Sequence, residues 1–204
     1  FYLTLSARNA NVNAINQQNL EANPLPARNY LAEVKGGFKP GIYPTDPALQ
    51  LKVNAQVMFL RNDPDKAYVN GTIGRVIELK PETVVVRIED PEKGETDIEV
   101  GQHEWEISKY VADPLDSSKI STQSLGSFKQ LPLRLAWAVT IHKAQGKTFD
   151  RIVIDMGKGA FEHGQTYVAL SRCRTLDGIV LRRPLHPRDL MVDPRVVEYY
   201  EGMR

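Results

Sequence analysis

The sequence predicts an α/β fold, a parallel sheet with helices on both faces, interrupted by a small inserted β-barrel. Three observations lead there. From Leu131 onward, apolar strand-like runs alternate with helix-like segments, the pattern of a parallel sheet with crossover helices. Residues 1–35 have the same texture. Between them, residues 49–130 hold five short β-prone runs separated by turn residues, the spacing of a small barrel. The expected division is one α/β domain built from residues 1–48 and 131–204, with the barrel at 49–130.

Each element has a local reason. Phe1 to Ser6 is apolar and β-prone; Asn9 or Asn11 can cap a helix running to about Ala22, which Pro24 and Pro26 stop. Asn29 to Lys35 reads as a strand, and the Gly and Pro of residues 36–47 break regular structure. In the barrel, strands are expected at Leu51–Leu60, Thr72–Leu79, Thr83–Ile88, Thr96–Val100 and Glu104–Ser108, with turns at Asn70-Gly71, Lys80-Pro81 and Lys93-Gly94. Asp113 to Lys129 reads as a loop or late strand. Strands are then expected at Leu133–Ile141, Arg151–Met156 and Gly178–Arg182, and helices near Gly164–Cys173 and Pro194–Met203.

Composition narrows the function classes. The 204 residues, 42% hydrophobic, suffice for one good core or two small ones. No apolar run approaches the roughly 20 residues of a membrane helix. The lone Cys173 excludes a disulfide framework, and His103, His142, His163 and His186 show no paired ligand spacing, so no metal site is expected. A reducing compartment fits, cytoplasmic and nucleoid-associated if the source is bacterial. The net charge of +1 hides an asymmetry: residues 131–188 carry ten Lys and Arg against four Asp and Glu, while residues 49–130 carry ten against 14. A local basic field suits a polyanion, and the acidic middle argues against a uniform nucleic-acid coat.

The basic segment also holds the motifs. AWAVTIHKAQGKTFD (Ala136 to Asp150) is an apolar strand ending in phosphate-seeking and hydrogen-bonding groups, where open α/β sheets bind ligands. Its Gly146-Lys147-Thr148 is not a phosphate loop, because the first glycine of G-x-x-x-x-G-K-[ST] would fall at Ile141. Farther on, Gln165, Ala169 and Arg172 stand at i, i+4 and i+7 of a short helix, one face that aims Arg172 outside its own helix.

With LTLSARNANVNAIN (Leu3 to Asn16) and GQTYVALSRCRTLDGIVL (Gly164 to Leu181), these segments resemble, in order, motifs IV, V and VI of the second RecA-like domain of superfamily 1 helicases of the 5′-to-3′ branch. The resemblance is to the petite-integration-frequency (PIF) and RecD-like DNA helicases and spans essentially the whole chain, with the insertion as a Src-homology-3-like barrel. It implies the C-terminal motor domain of an ATP-dependent DNA helicase. It makes Arg172 the arginine finger, a planar forked donor suited to a γ-phosphate. Gln145, Gly146 and Gln165 would approach the nucleotide, although Gly146 can equally serve the turn alone and Gln165 packing or capping. Thr140, His142 and Lys143, with Asn9 and Asn11, would touch single-stranded DNA, as phosphate contacts that read no sequence, although His142 can also be a buried strand-end residue held by a carbonyl and the Asn residues caps without a ligand. ATP and Mg2+ would be held mainly by an N-terminal RecA-like domain, the chain's partner in a monomer, and this chain alone would be inactive. Two rivals stay open: a non-catalytic nucleic-acid-binding module with degenerate motor motifs, and an interaction scaffold centred on the acidic barrel. Trp137 and Tyr167 could stack on bases, although Trp137 lies inside an apolar strand, where such a residue is more often core, and Trp105, Tyr68 and Tyr110 could form a stacking face or fill the barrel.

Overall fold

A computed structural model describes residues 2–90, 94–112 and 120–203. The expectations touching Phe1, Lys93 and residues 113–119 lie outside these. The chain divides into two compact units, Phe1–Ala22 with Ala136–Arg204, and Asn23–Leu135.

The first unit opens with strand β1 (Leu3–Ser6) and helix α1 (Asn9–Ala22). Helix α1 is rich in Asn and Gln and buries only Val12, Asn16 and Leu20, a stripe of every fourth residue. Asn9 and Asn11 thus lie inside the first turn instead of preceding it, so neither is the expected cap.

Among its described residues the second unit is all β in its regular structure apart from one short 3-10 turn: β2 (Ala27–Leu31), β3 (Glu33–Gly36), β4 (Ala48–Lys52), β5 (Gln56–Phe59), β6 (Ile73–Leu79), β7 (Val84–Asp90), β8 (Gly94–Val100), β9 (His103–Ala112), β10 (Ile120–Gln130) and β11 (Leu133–Leu135). They form three antiparallel sheets: β11-β5-β6-β7-β8, β3-β10-β9 and β2-β4. Residues 23–48, expected with the α/β domain, pair here instead, because β2 finds its partner in β4 and β3 in β10. The single strand expected at Asn29–Lys35 is divided between those two pairings at Ala32. That expected at Leu51–Leu60 breaks at Asn54, which takes the left-handed φ of 68° that Asn tolerates. Alternation holds on β6 and β7, where Gly74, Val76, Val84, Val86 and Ile88 point inward. Phe128 sits among Phe38, Tyr43 and Trp105, and Tyr68 lies 4.0 Å from Phe59, so Trp105 and Tyr68 are packing aromatics; Tyr110 is 81% exposed. The Gln130 amide, fully buried, donates to the Tyr30 carbonyl while its oxygen accepts from Leu131 N–H.

The chain then re-enters the first unit through β12 (Ala138–Thr140), β13 (Ile152–Asp155), helix α2 (Gln165–Leu170), β14 (Ile179–Leu181) and helix α3 (Pro194–Glu201). The one strand expected at Leu133–Ile141 is therefore two. Its apolar run serves different sheets, Leu133–Leu135 antiparallel to β5 and Ala138–Thr140 parallel to β1, and hydrophobicity alone carries no sign of that exchange. The parallel sheet runs β12-β1-β13-β14, its core made by Leu3, Leu5, Ala138, Val139, Ile152 and Ile154. Register sets Ser6 beside both Thr140 and Asp155, so three polar residues form a row at the carboxyl edge.

Helix α1 is fastened to this sheet by Asn16. Its side-chain amide donates to the Ala138 carbonyl and its oxygen accepts from the Ala138 N–H, both at 2.9 Å. Removing the amide leaves two buried backbone groups of β12 without those bonds. Asn16→Ala is expected to destabilise the protein by about 2–4 kcal/mol, read as a lowered urea midpoint; an unchanged midpoint would show that the tether carries no weight.

Candidate nucleotide and nucleic-acid edge

The carboxyl edge gathers most of the residues the motifs single out. After β12 the chain makes a 3-10 turn at His142–Ala144, whose geometry exposes His142 and Lys143 and buries Ala144. Thr140 is 5% exposed, and its hydroxyl accepts from the Lys143 N–H at 3.3 Å, so it braces this turn. Gln145 follows, exposed, and then Gly146 at φ 75°. A side chain at Gly146 would meet nothing within 4 Å, so the left-handed backbone alone accounts for glycine there.

The stretch after Gly146 lies against the segment that follows α2. Phe149 N–H donates to the Arg172 carbonyl (2.8 Å) and Arg174 N–H to the Phe149 carbonyl (3.1 Å), a parallel bridge between the two motifs. Helix α2 ends at Leu170, shorter than expected, and Arg172 stands beyond its C-cap, Ser171. The chain turn after the helix, not a helical face shared with Gln165, sets its direction. Its Nε donates to the Val168 carbonyl, one terminal nitrogen to the Lys147 carbonyl (3.1 Å) and the other to Ser171 Oγ (2.9 Å). All three acceptors are neutral, and among the described residues no carboxylate pairs with this guanidinium. Its charge remains available to an anion. Arg174, in contrast, pairs with Asp150 at 3.3 Å.

Two buried polar atoms near this edge have no hydrogen-bond partner among the described residues, Ser6 Oγ and Gln165 Nε2. Gln165 is 4% exposed and its oxygen accepts from the Phe161 N–H, so it closes the loop leading into α2. Asn9 is exposed on the first turn of α1. Asn11 lies near the turn after β13, where a side chain at Gly157 would stand 3.1 Å from its amide nitrogen. Tyr167 is 76% exposed, and Trp137, between strands, is partly covered. Among the described residues no three His, Cys, Asp or Glu side chains converge as a metal site.

Several residues that support this edge carry no motif. Asp189 is fully buried and receives two hydrogen bonds from the Arg183 guanidinium, at 2.7 and 2.8 Å, and one from the His186 N–H. Its carbonyl accepts from the hydroxyl of Thr166, in the first turn of α2. The pairing holds the Asp189 carboxyl far below the usual carboxylate range, with the Arg183 hydrogen bond the largest cause. Glu162 meets His142 Nε2 at 2.6 Å, joining the loop before α2 to the turn after β12. The links of Glu162 and Thr166 span 20 and 23 residues of sequence, and only a basic residue near an acidic one hinted at Arg183 and Asp189.

No protein-family model matches the chain. It is 36% identical over 158 residues to the ATP-dependent DNA helicase Pif1 of Bdellovibrio bacteriovorus, covering 78% of this chain and 32% of that protein. It is 36% identical over 166 residues to the human ATP-dependent DNA helicase PIF1, covering 79% and 23%. Among solved structures it resembles unliganded Pif1 from Bacteroides sp., with a TM-score of 0.85, 36% identity and coverage of 98% of this chain and 45% of that one. The Bacteroides protein is also known in complex with ADP-AlF4 and bound to single-stranded DNA, with TM-scores of 0.83 and 0.77, 36% identity in both, and coverage of 98% of this chain against 44% and 45% of theirs. The chain thus spans about a third or less of the curated relatives' length.

The Asp189 pairing has a pH signature. Because its folded pKa is lowered, its stabilisation is complete above the ordinary carboxylate value near 3.9 and is lost as pH falls through the lowered value. Asp189→Asn is expected to lower the thermal midpoint at pH 7 by roughly 5–10 °C, and the gap from wild type should shrink below about pH 4. A gap constant from pH 7 to strong acid would remove the ion pair as its cause.

Proposed function

This chain is a PIF1-like superfamily 1 helicase domain with a RecA-like α/β fold, and from that premise we propose that it is the C-terminal motor domain of an ATP-dependent DNA helicase. The observation that carries the reading is the Arg172 guanidinium, set beside the Gln145–Lys147 turn by neutral acceptors alone. In this reading Arg172 is the arginine finger. When water attacks the γ-phosphorus of ATP and the bond to the bridging oxygen of ADP breaks, negative charge spreads over the phosphoryl oxygens. A guanidinium exchanging carbonyl partners for those oxygens stabilises that charge. Gln145 and Gly146 approach the nucleotide from the same turn, and Gln165 fixes the loop into α2. The remaining nucleotide contacts, and the Mg2+, belong to an N-terminal RecA-like domain.

Single-stranded DNA, the ligand bound by the Bacteroides relative, is the proposed polymer. Thr140 holds the turn that presents His142 and Lys143 to phosphates, and Asn9 and Asn11 extend the track along α1. Residues 23–135 form the inserted Src-homology-3-like module. Because the nucleotide turn and the DNA turn are one stretch of backbone, loss of a γ-phosphate contact at Arg172 is felt at His142 within five residues of chain, which is how hydrolysis would change the grip on DNA.

Three measurements test this. In the full-length protein, Arg172→Ala should lower DNA-stimulated ATP hydrolysis by on the order of 10³-fold or more; an unchanged rate would end the finger assignment. Lys143→Ala should reduce the slope of log K against log salt for single-stranded DNA by about 0.7, and an unaltered slope would take Lys143 off the track. The chain by itself should hydrolyse no ATP above background in a phosphate-release assay, whereas turnover that persists in Arg172→Ala would contradict the division of labour.

A further inference from the structure

The contact between His142 and Glu162 has no part in the proposed hydrolysis and joins two solvent-facing segments of the carboxyl edge. Both side chains are about half exposed, at 54% and 50%, so the 2.6 Å pair contributes little stability. Yet Glu162 is presented by a well-fastened loop. Gly157 N–H is held by Asp155, Gly159 N–H by the Met156 carbonyl, Gly164 N–H by the Met191 carbonyl, and Gln165 N–H reaches the Glu162 carbonyl. His142 is fixed from the other side, where its carbonyl accepts from Gln145 N–H. A fixed loop therefore delivers an anionic oxygen to a ring nitrogen on the basic, solvent-facing turn of the carboxyl edge.

A carboxylate oxygen and a non-bridging phosphate oxygen are the same kind of acceptor for an imidazole nitrogen, and one nitrogen cannot serve both. We propose that Glu162 occupies on His142 the position of a nucleic-acid phosphate, so that strand binding must displace this carboxylate. The inference rests on the reading of His142 as a track residue. It gives Glu162 a role that weakens DNA binding, opposite in sign to that of the surrounding cations. Because Glu162 lies three residues before α2, its displacement occurs on the loop that leads to Thr166 and Arg172.

The test is a double-mutant cycle in the full-length protein, reading the affinity for a fluorescein-labelled oligothymidine by anisotropy at low salt. Glu162→Gln, which removes the charge and keeps the shape, is expected to tighten binding about two- to five-fold, the size of an exposed ion pair. The same substitution in a His142→Ala background is expected to change nothing. Equal tightening in both backgrounds would mean a general loss of repulsion, and no tightening in the wild-type background would mean a structural brace; either overturns the role of Glu162 and leaves the track intact. A His142→Ala variant that binds as tightly as wild type would overturn the track reading and this proposal with it.

Discussion

Two backbone hydrogen bonds, Phe149 N–H to the Arg172 carbonyl and Arg174 N–H to the Phe149 carbonyl, fix the geometry on which the candidate site depends. They join the turn after β12 to the turn after α2 without side chains, so the meeting of the two segments survives most substitutions in either. Everything chemical at this edge is a variation in what hangs from that bridge. Arg172 reaches Lys147 because the bridge brings its backbone alongside, and Cys173 donates its thiol to the Asp150 carbonyl for the same reason.

The polar groups around the bridge fall into two physical kinds. Those that hold the scaffold are buried and fully committed: Asn16 on Ala138, Asp189 under Arg183, the Thr166 hydroxyl on the Asp189 carbonyl. Breaking one leaves a desolvated group without its partner, so these contacts do not exchange with solvent ligands at low cost. Those that face outward are exposed or have neutral acceptors, as with His142 on Glu162 and Arg172 on backbone carbonyls. An incoming phosphate can replace them without stranding a buried charge. In the proposed function this surface repeatedly takes and releases polyanions, which requires a rigid support carrying a replaceable set of contacts.

Local pattern alone makes much of this architecture legible in the sequence. Helix α1, the strands β6 to β8, β13 and β14, and the position of the phosphate-seeking turn follow from periodicity, turn residues and the abrupt end of an apolar run. Pairing is not legible in the same way. Leu133 to Ile141 reads as one strand because both of its halves are apolar, and only the competing partners β5 and β1 divide it. Residues 27–36 look like part of the α/β body because β-propensity does not specify which sheet a strand will join. The site shows the same boundary: Arg172 and His142 stand out as residue types in context, whereas Glu162 and Asp189 acquire meaning only through partners 20 and six residues away.

The Asn16 tether spans 122 residues of sequence, and β1 pairs with β12 across a similar distance. Nearly all of the intervening chain belongs to the β-rich unit, whose β6-β7-β8 hairpins pair near neighbours while β3 meets β10 and β5 meets β11 across long stretches of sequence. Closing so long a loop in an unfolded chain carries an entropic cost that local hairpins avoid, and such non-local pairings form slowly. The parallel sheet is therefore among the entropically costly closures of this chain. The carboxyl edge comes into being only when Ser6, Thr140 and Asp155 fall into register. The candidate edge thus depends on closures that no local segment of the chain can make by itself.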